Sequence, residues 1–90
     1  MDKLQIPESP IRALRLKLSL NQNEFSRLIG KSQSFESGLE SGNVDLPHDA
    51  IEKLEQLGID GQMIRQEHHN FMEDRLARIR GAAIETLKNG

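Results

Sequence analysis

Apolar residues in this chain recur at spacings of three and four in short segments set off by capping residues, and strand signals are nearly absent. The pattern predicts an all-α protein with four short helices and one long one. "SPIRALRLKL" opens with Ser9 as N-cap and Pro10 at the first helical position, where a missing N–H costs nothing. Ile11, Leu14 and Leu18 would line its inner face, with Arg12, Arg15 and Lys17 elsewhere. In "NQNEFSRLIG", Asn21 and Glu24 have the spacing of a capping box. Phe25, Leu28 and Ile29 form the buried face there, and Gly30 stands where a left-handed stop is wanted. "SQSFESGLES" makes a further short helix ending at Gly42. After the loop "NVDLP" comes "HDAIEKLEQLG", with Ala50, Ile51, Leu54 and Leu57 inward and Gly58 as its stop. None of these helices would hold alone, so they must share one core.

The last third differs. From Asp60, a good N-cap, to Lys88 there is no proline and one interior glycine, Gly81. Ile64, His68, Met72, Leu76, Ile79, Ala83 and Leu87 form a stripe spaced mostly by three and four. A helix of up to about 27 residues would run about 40 Å, too long for a core of this size to cover. Part of the stripe therefore needs a partner, and the simplest is a second copy, which makes these residues a dimerisation element. Ala77 and Gly81, one turn apart, would permit close approach of the helices. The competing expectation is a break at Gly81 with the helix folding back. The organisation predicted is an N-terminal arm over 1–9, a helical domain over 10–59 and the long helix over 60–90.

Composition narrows the class. Ninety residues make one domain at most, and with no cysteine, disulfides and thiolate metal sites are excluded. No apolar run approaches a membrane span, so a soluble, cytoplasmic protein is expected. Twelve Lys and Arg face fourteen Asp and Glu, a net charge of −2. Such a chain exerts no non-specific pull on nucleic acid, so a DNA-binding reading requires the fold to gather basic groups on one face.

The segment "GKSQ" at Gly30 ends like a phosphate-binding loop. That loop needs a glycine five residues earlier, where Phe25 stands, and a preceding strand, where the pattern is helical. The nucleotide reading fails. Read from Gln22, the same stretch has the spacing of two helices joined by a tight turn at Gly30. "LNQNEFSRLIG", "SQS" and "LESG" together resemble the helix-turn-helix of the lambdoid phage repressor and Cro family, the xenobiotic-response-element regulators. "IRALRLKLSL" is similar to that family's opening helix and "IEKLEQLGI" to its closing one, so the likeness covers residues 10 to 59. It implies a double-stranded DNA partner, with the second helix entering a major groove. Gln33, Ser34, Ser37 and Gly38 would then face base edges, glutamine suiting adenine because its amide donates and accepts at once. Gln22, Asn23, Lys31, Ser32, Ser41 and Asn43 would contact phosphates.

The chain departs from the family pattern in three places. Ser26 replaces the usual alanine, Lys53 falls near a usually apolar position, and Glu36 occupies the inward β-branched position of the second helix. A buried lone carboxylate costs several kcal/mol, so Glu36 should either pair, with an arginine for example, or signal a rotated helix.

"EHHNFMED" offers no metal set. His68 and His69 point about 100° apart on a helix, and His69 with Glu73 supplies only two ligands. His68 in a helix seam would rather set register or give weak pH sensitivity. No catalytic constellation is legible, so neither an enzyme nor a cofactor is expected. Two functions follow as expectations: a dimeric, sequence-specific transcriptional regulator acting by repression through occupancy or by recruitment, or a protein-interaction module on the same scaffold, antitoxin-like or adaptor, whose long C-terminal helix docks on a protein partner.

Overall fold

The computed structural model describes residues 8–89. Of the arm expected over 1–9, all but Glu8 and Ser9 lie outside the described residues. The described chain is all-helical: α1 (Pro10–Lys17), α2 (Gln22–Leu28), α3 (Gln33–Ser41), α4 (His48–Gln56) and α5 (Gly61–Asn89).

Caps set most of these boundaries. The Ser9 hydroxyl accepts from the Arg12 N–H at 3.2 Å, with Pro10 beginning α1. Asn21 and Glu24 form the reciprocal box at the start of α2, each bond 2.8 Å long. Asp60 accepts from the Met63 N–H at 3.1 Å and so starts α5. Pro47 begins α4 with no side-chain cap, so α4 leans on its buried face. The core joins Ile11 of α1, Phe25 and Ile29 of α2 and its end, Leu39 of α3, Ile51 and Leu54 of α4 and Ile64 of α5. Leu18 and Leu57, expected inside, are exposed. Each lies one residue beyond its helix, at the C-cap, where the backbone leaves the helical spiral.

α5 does not fold back. It runs unbroken through Gly81, giving the molecule extents of 49 × 29 × 23 Å. Its first three turns close the head: Gly61, Ile64 and His68 are buried, and Phe71 and Met72 are half-buried. Gly42, with φ of 81°, both ends α3 and lets α5 approach, since a Cβ there would lie 2.9 Å from Arg75 and 3.1 Å from Phe71. His68 donates from Nε2 to the Val44 carbonyl at 2.8 Å, riveting the α3–α4 loop to the long helix.

Those contacts correct the expected dimerisation stripe. Ile64 and His68 belong to the head's own interior, so His68 cannot set register between copies. Beyond Met72 every described residue of α5 is exposed. Ala77 and Gly81 do not share the stripe. At about 100° per residue they face more than 100° away from the line through Leu76, Ile79 and Ala83, and nothing lies within 4 Å of a Cβ placed at Gly81.

Candidate nucleic-acid interface

The turn between α2 and α3 begins with Ile29 and Gly30, where a φ of 72° reverses the chain. It closes with Ser32, whose hydroxyl accepts the Phe35 N–H at 3.1 Å and starts α3. Within α3, Glu36 and Leu39 point inward and are fully buried. Gln33, Ser34 and Ser37 therefore lie on the outer face, exposed, and with Gln22 of α2 they line an open cup of about 390 Å³. Four of the residues assigned from sequence are thus brought together by the fold.

A largely buried ion pair anchors Gln22 at the edge of this cup. Arg15 of α1 forks onto Glu40 of α3, from Nε at 2.6 Å and Nη2 at 3.2 Å, and donates from Nη1 to the Leu20 carbonyl at 2.9 Å. The Gln22 amide donates to the same Glu40 carboxylate at 3.4 Å. Burial works to raise the Glu40 carboxyl, but the donors around it, Arg15 foremost, outweigh that and hold it below its ordinary value. One network thereby ties α1, α2 and α3 together and orients Gln22.

Glu36 resolves differently from either expectation. Its helix is not rotated, and the arginine pairs with Glu40 instead. Both Glu36 carboxyl oxygens are buried without a hydrogen-bond partner. Burial, reinforced by the Glu40 carboxylate beside it, pushes the Glu36 carboxyl up to about 8. At neutral pH the side chain is mostly a neutral acid, which removes the cost of a lone buried charge.

Other assignments shift. Gly38 is half-buried and turned towards Val44, whose nearest methyl would lie 3.3 Å from a Cβ, so it is not a base-facing residue. Lys31 is engaged within the chain. Its ammonium sits 2.8 Å from an Asp49 carboxylate oxygen and 5.5 Å from the Phe35 ring centroid. Ser41 donates its hydroxyl to the Gly38 carbonyl at 3.1 Å. Ser32 keeps its place at the tip of α3 although its oxygen caps the helix. Asn23 and Asn43 are exposed. The Ser26 hydroxyl satisfies itself on the Asn23 carbonyl at 2.7 Å, which explains how a polar residue replaces alanine inside α2.

Sequence reasoning missed two features. Lys53, noted only for departing from an apolar pattern, lays its chain across the turn, with Cε 2.9 Å from where a Gly30 Cβ would sit. That makes it an exposed cation beside Lys31. The Arg15–Glu40–Gln22 bridge was also unseen. Its one signal was Glu40 following Glu36 by four residues, on the same inward side of α3.

Comparisons with protein-family models, curated proteins and solved structures found no match. Among the described residues no helix is long and apolar enough to cross a membrane, and no three His, Asp or Glu gather as a metal cage.

Proposed function

We propose that this chain is a sequence-specific, double-stranded DNA-binding transcriptional regulator that reads a major groove with α3 and acts as a homodimer through α5. The observation that carries the reading is the convergence of Gln22, Gln33, Ser34 and Ser37 on one exposed face at the start of α3. Amides and hydroxyls there can donate and accept at base edges, and Gln33 has the geometry for a two-point contact with adenine. The free N–H groups of the first turn of α3, with Lys31 and Lys53 behind it, supply the positive end that a phosphate backbone seeks. The protonated Glu36 lies beneath that face and adds little negative charge to it at neutral pH.

A second reading is a protein-interaction module on the same scaffold. It is favoured by the way Arg15 and Lys31 are already neutralised by Glu40 and Asp49. Binding of labelled random duplexes across a salt series separates the two. Affinity that falls steeply as salt rises supports the regulator, and no binding at about 50 mM salt supports the interaction module. Under the first reading Gln33→Ala narrows the gap between preferred and random duplexes, whereas Lys31→Ala weakens all duplexes alike. An equal loss on every sequence for Gln33→Ala would remove its reading role.

A further inference from the structure

The exposed half of α5 carries Met72, Leu76, Ile79, Ala83 and Leu87 at intervals of four, three, four and four. At about 100° per residue these fall within an arc of about 80°. The His68–Ile79 interval is eleven residues, nearer a straight helix than a heptad, so the stripe suits a short, nearly straight contact. The stripe is exposed apolar surface: Leu76 is 43 %, Ile79 56 % and Leu87 80 % accessible.

The two ends of this stripe differ. At the head end Met72 and Leu76 floor a cup of about 320 Å³, rimmed by Asp45 and Glu73 with His69 beside them. At the far end Leu87 projects freely with Lys88 next to it. The cup is apolar below and acidic at its edge, and the tip is apolar with a cation attached. One complements the other, yet the unbroken helix keeps them about 22 Å apart within a chain at ~1.5 Å per residue.

We infer that a second copy covers this face with its α5 antiparallel, Leu87 of each copy seated in the other's cup. The dyad then falls between Ile79 and Arg80. Ala83 of one copy meets Leu76 of the other, Leu87 meets Met72, and Lys88 reaches the Asp45 and Glu73 rim. In this register residues 70–79 of one copy, with two acids and two bases, face residues 80–89 of the other, with two bases and one acid, so the charge complement is local, Lys88 against Glu73. A parallel pair does the reverse: it brings both acidic rims together, places Leu87 against Leu87 and leaves both cups unfilled. The inference rests on the dimeric part of the proposed function and is independent of DNA contact. The midpoints of the two head-bearing segments, near residue 66 of each copy, lie about 40 Å apart along the rod, comparable to the ~34–36 Å between successive major grooves on one DNA face.

The natural chain has no cysteine, so single-cysteine variants report orientation without background. An equimolar mixture of Leu76→Cys and Ala83→Cys, oxidised without DNA, is expected to give the mixed disulfide. Ala83→Cys alone is expected to give none. Light scattering should return about twice 10.2 kDa for the natural chain and the monomer mass for Leu87→Asp, with its helical signal intact because the site is exposed. Self-linking of Ala83→Cys would mean a parallel pair, and a natural chain of monomer mass would mean that something other than a second copy covers the stripe. Either result overturns the inference. Failure of the DNA reading would appear only in duplex binding and would leave the disulfide pattern as it is.

Discussion

The head and the free half of α5 are built from the same materials and treat them in opposite ways. In the head, apolar residues at helical spacing meet others from distant parts of the chain. Ile64 of α5, for example, joins a core with Ile11, Phe25 and Leu54. Four residues past His68 on the same helix, the stripe begins to lose its neighbours, and by Leu76 it is exposed. Charges divide likewise. In the head two pairs bridge elements, Arg15 to Glu40 and Lys31 to Asp49, besides local ones such as Arg12 with Glu8. On the rod Arg78 pairs with Asp74 one turn away, a contact that holds nothing but its own helix. An apolar repeat therefore shows that a face wants covering; the molecule's length decides whether the cover is its own.

The largest expected contrast is in core truncation. Phe25 is fully buried at the centre of the head. Phe25→Ala should lose about 3–5 kcal/mol, through lost burial and the cavity left behind. Ile79→Ala on the rod should stay within about 0.5 kcal/mol when the protein is dilute enough to be monomeric. Urea unfolding monitored by circular dichroism measures both. Comparable losses in dilute protein would mean that the rod is packed within its own chain, and the contrast would vanish.

Glu36 gives the next effect. Its folded-state value of about 8 lies above the ordinary 4.5, so the folded protein holds a proton that the unfolded chain releases. Its contribution to stability is full below pH 4.5 and is lost as pH rises to about 8, by up to ~1.4 kcal/mol per pH unit. Glu40, held low by Arg15, acts only in acid, where protonating it removes stability, so the two windows are separate. Urea midpoints measured between about pH 5 and pH 8 should decline for the natural chain and flatten in Glu36→Gln, which keeps the shape and cannot ionise. A profile unchanged by Glu36→Gln would mean that water reaches the carboxyl.

These residues also mark how far the sequence could be read. Caps and stops were legible because their chemistry is local. Asn21 with Glu24, Ser9 before Pro10, Asp60, Gly30 and Gly42 act over three or four residues, and the helices begin and end there. The outward set on α3 was legible for the same reason, since period alone puts Gln33, Ser34 and Ser37 opposite Leu39. The misses are all long-range. Arg15 and Glu40 are twenty-five residues apart, and no spacing rule says which carboxylate the arginine takes. Gly38 looked groove-facing until Val44, from the following loop, came to rest against it. The stripe on α5 was seen whole, but where intramolecular burial ends depends on the size of the head. Gly42 and Val44 set that limit through their contacts with Phe71, Arg75 and His68.

The smallest expected effect tests whether the head's cross-element pairing restrains its binding face. Lys31 is the cation closest in sequence to the start of α3, and Asp49 of α4 occupies its ammonium at 2.8 Å. The lysine in turn holds the Asp49 carboxyl below its ordinary value. If α3 meets a phosphate backbone, Asp49 competes with it for the same cation. Removing that competitor should help every duplex equally, because phosphates carry no sequence. Asp49→Asn is therefore expected to strengthen binding a few-fold at low salt, for preferred and random duplexes alike, and to steepen the salt dependence slightly. Asp74→Asn frees Arg78 in the same way on the rod, far from α3, and should leave affinity where it was. Fluorescence anisotropy on both variants at two salt concentrations measures the difference. Equal gains from the two would show that net charge alone is felt, and that Lys31 has no privileged place beside the reading helix.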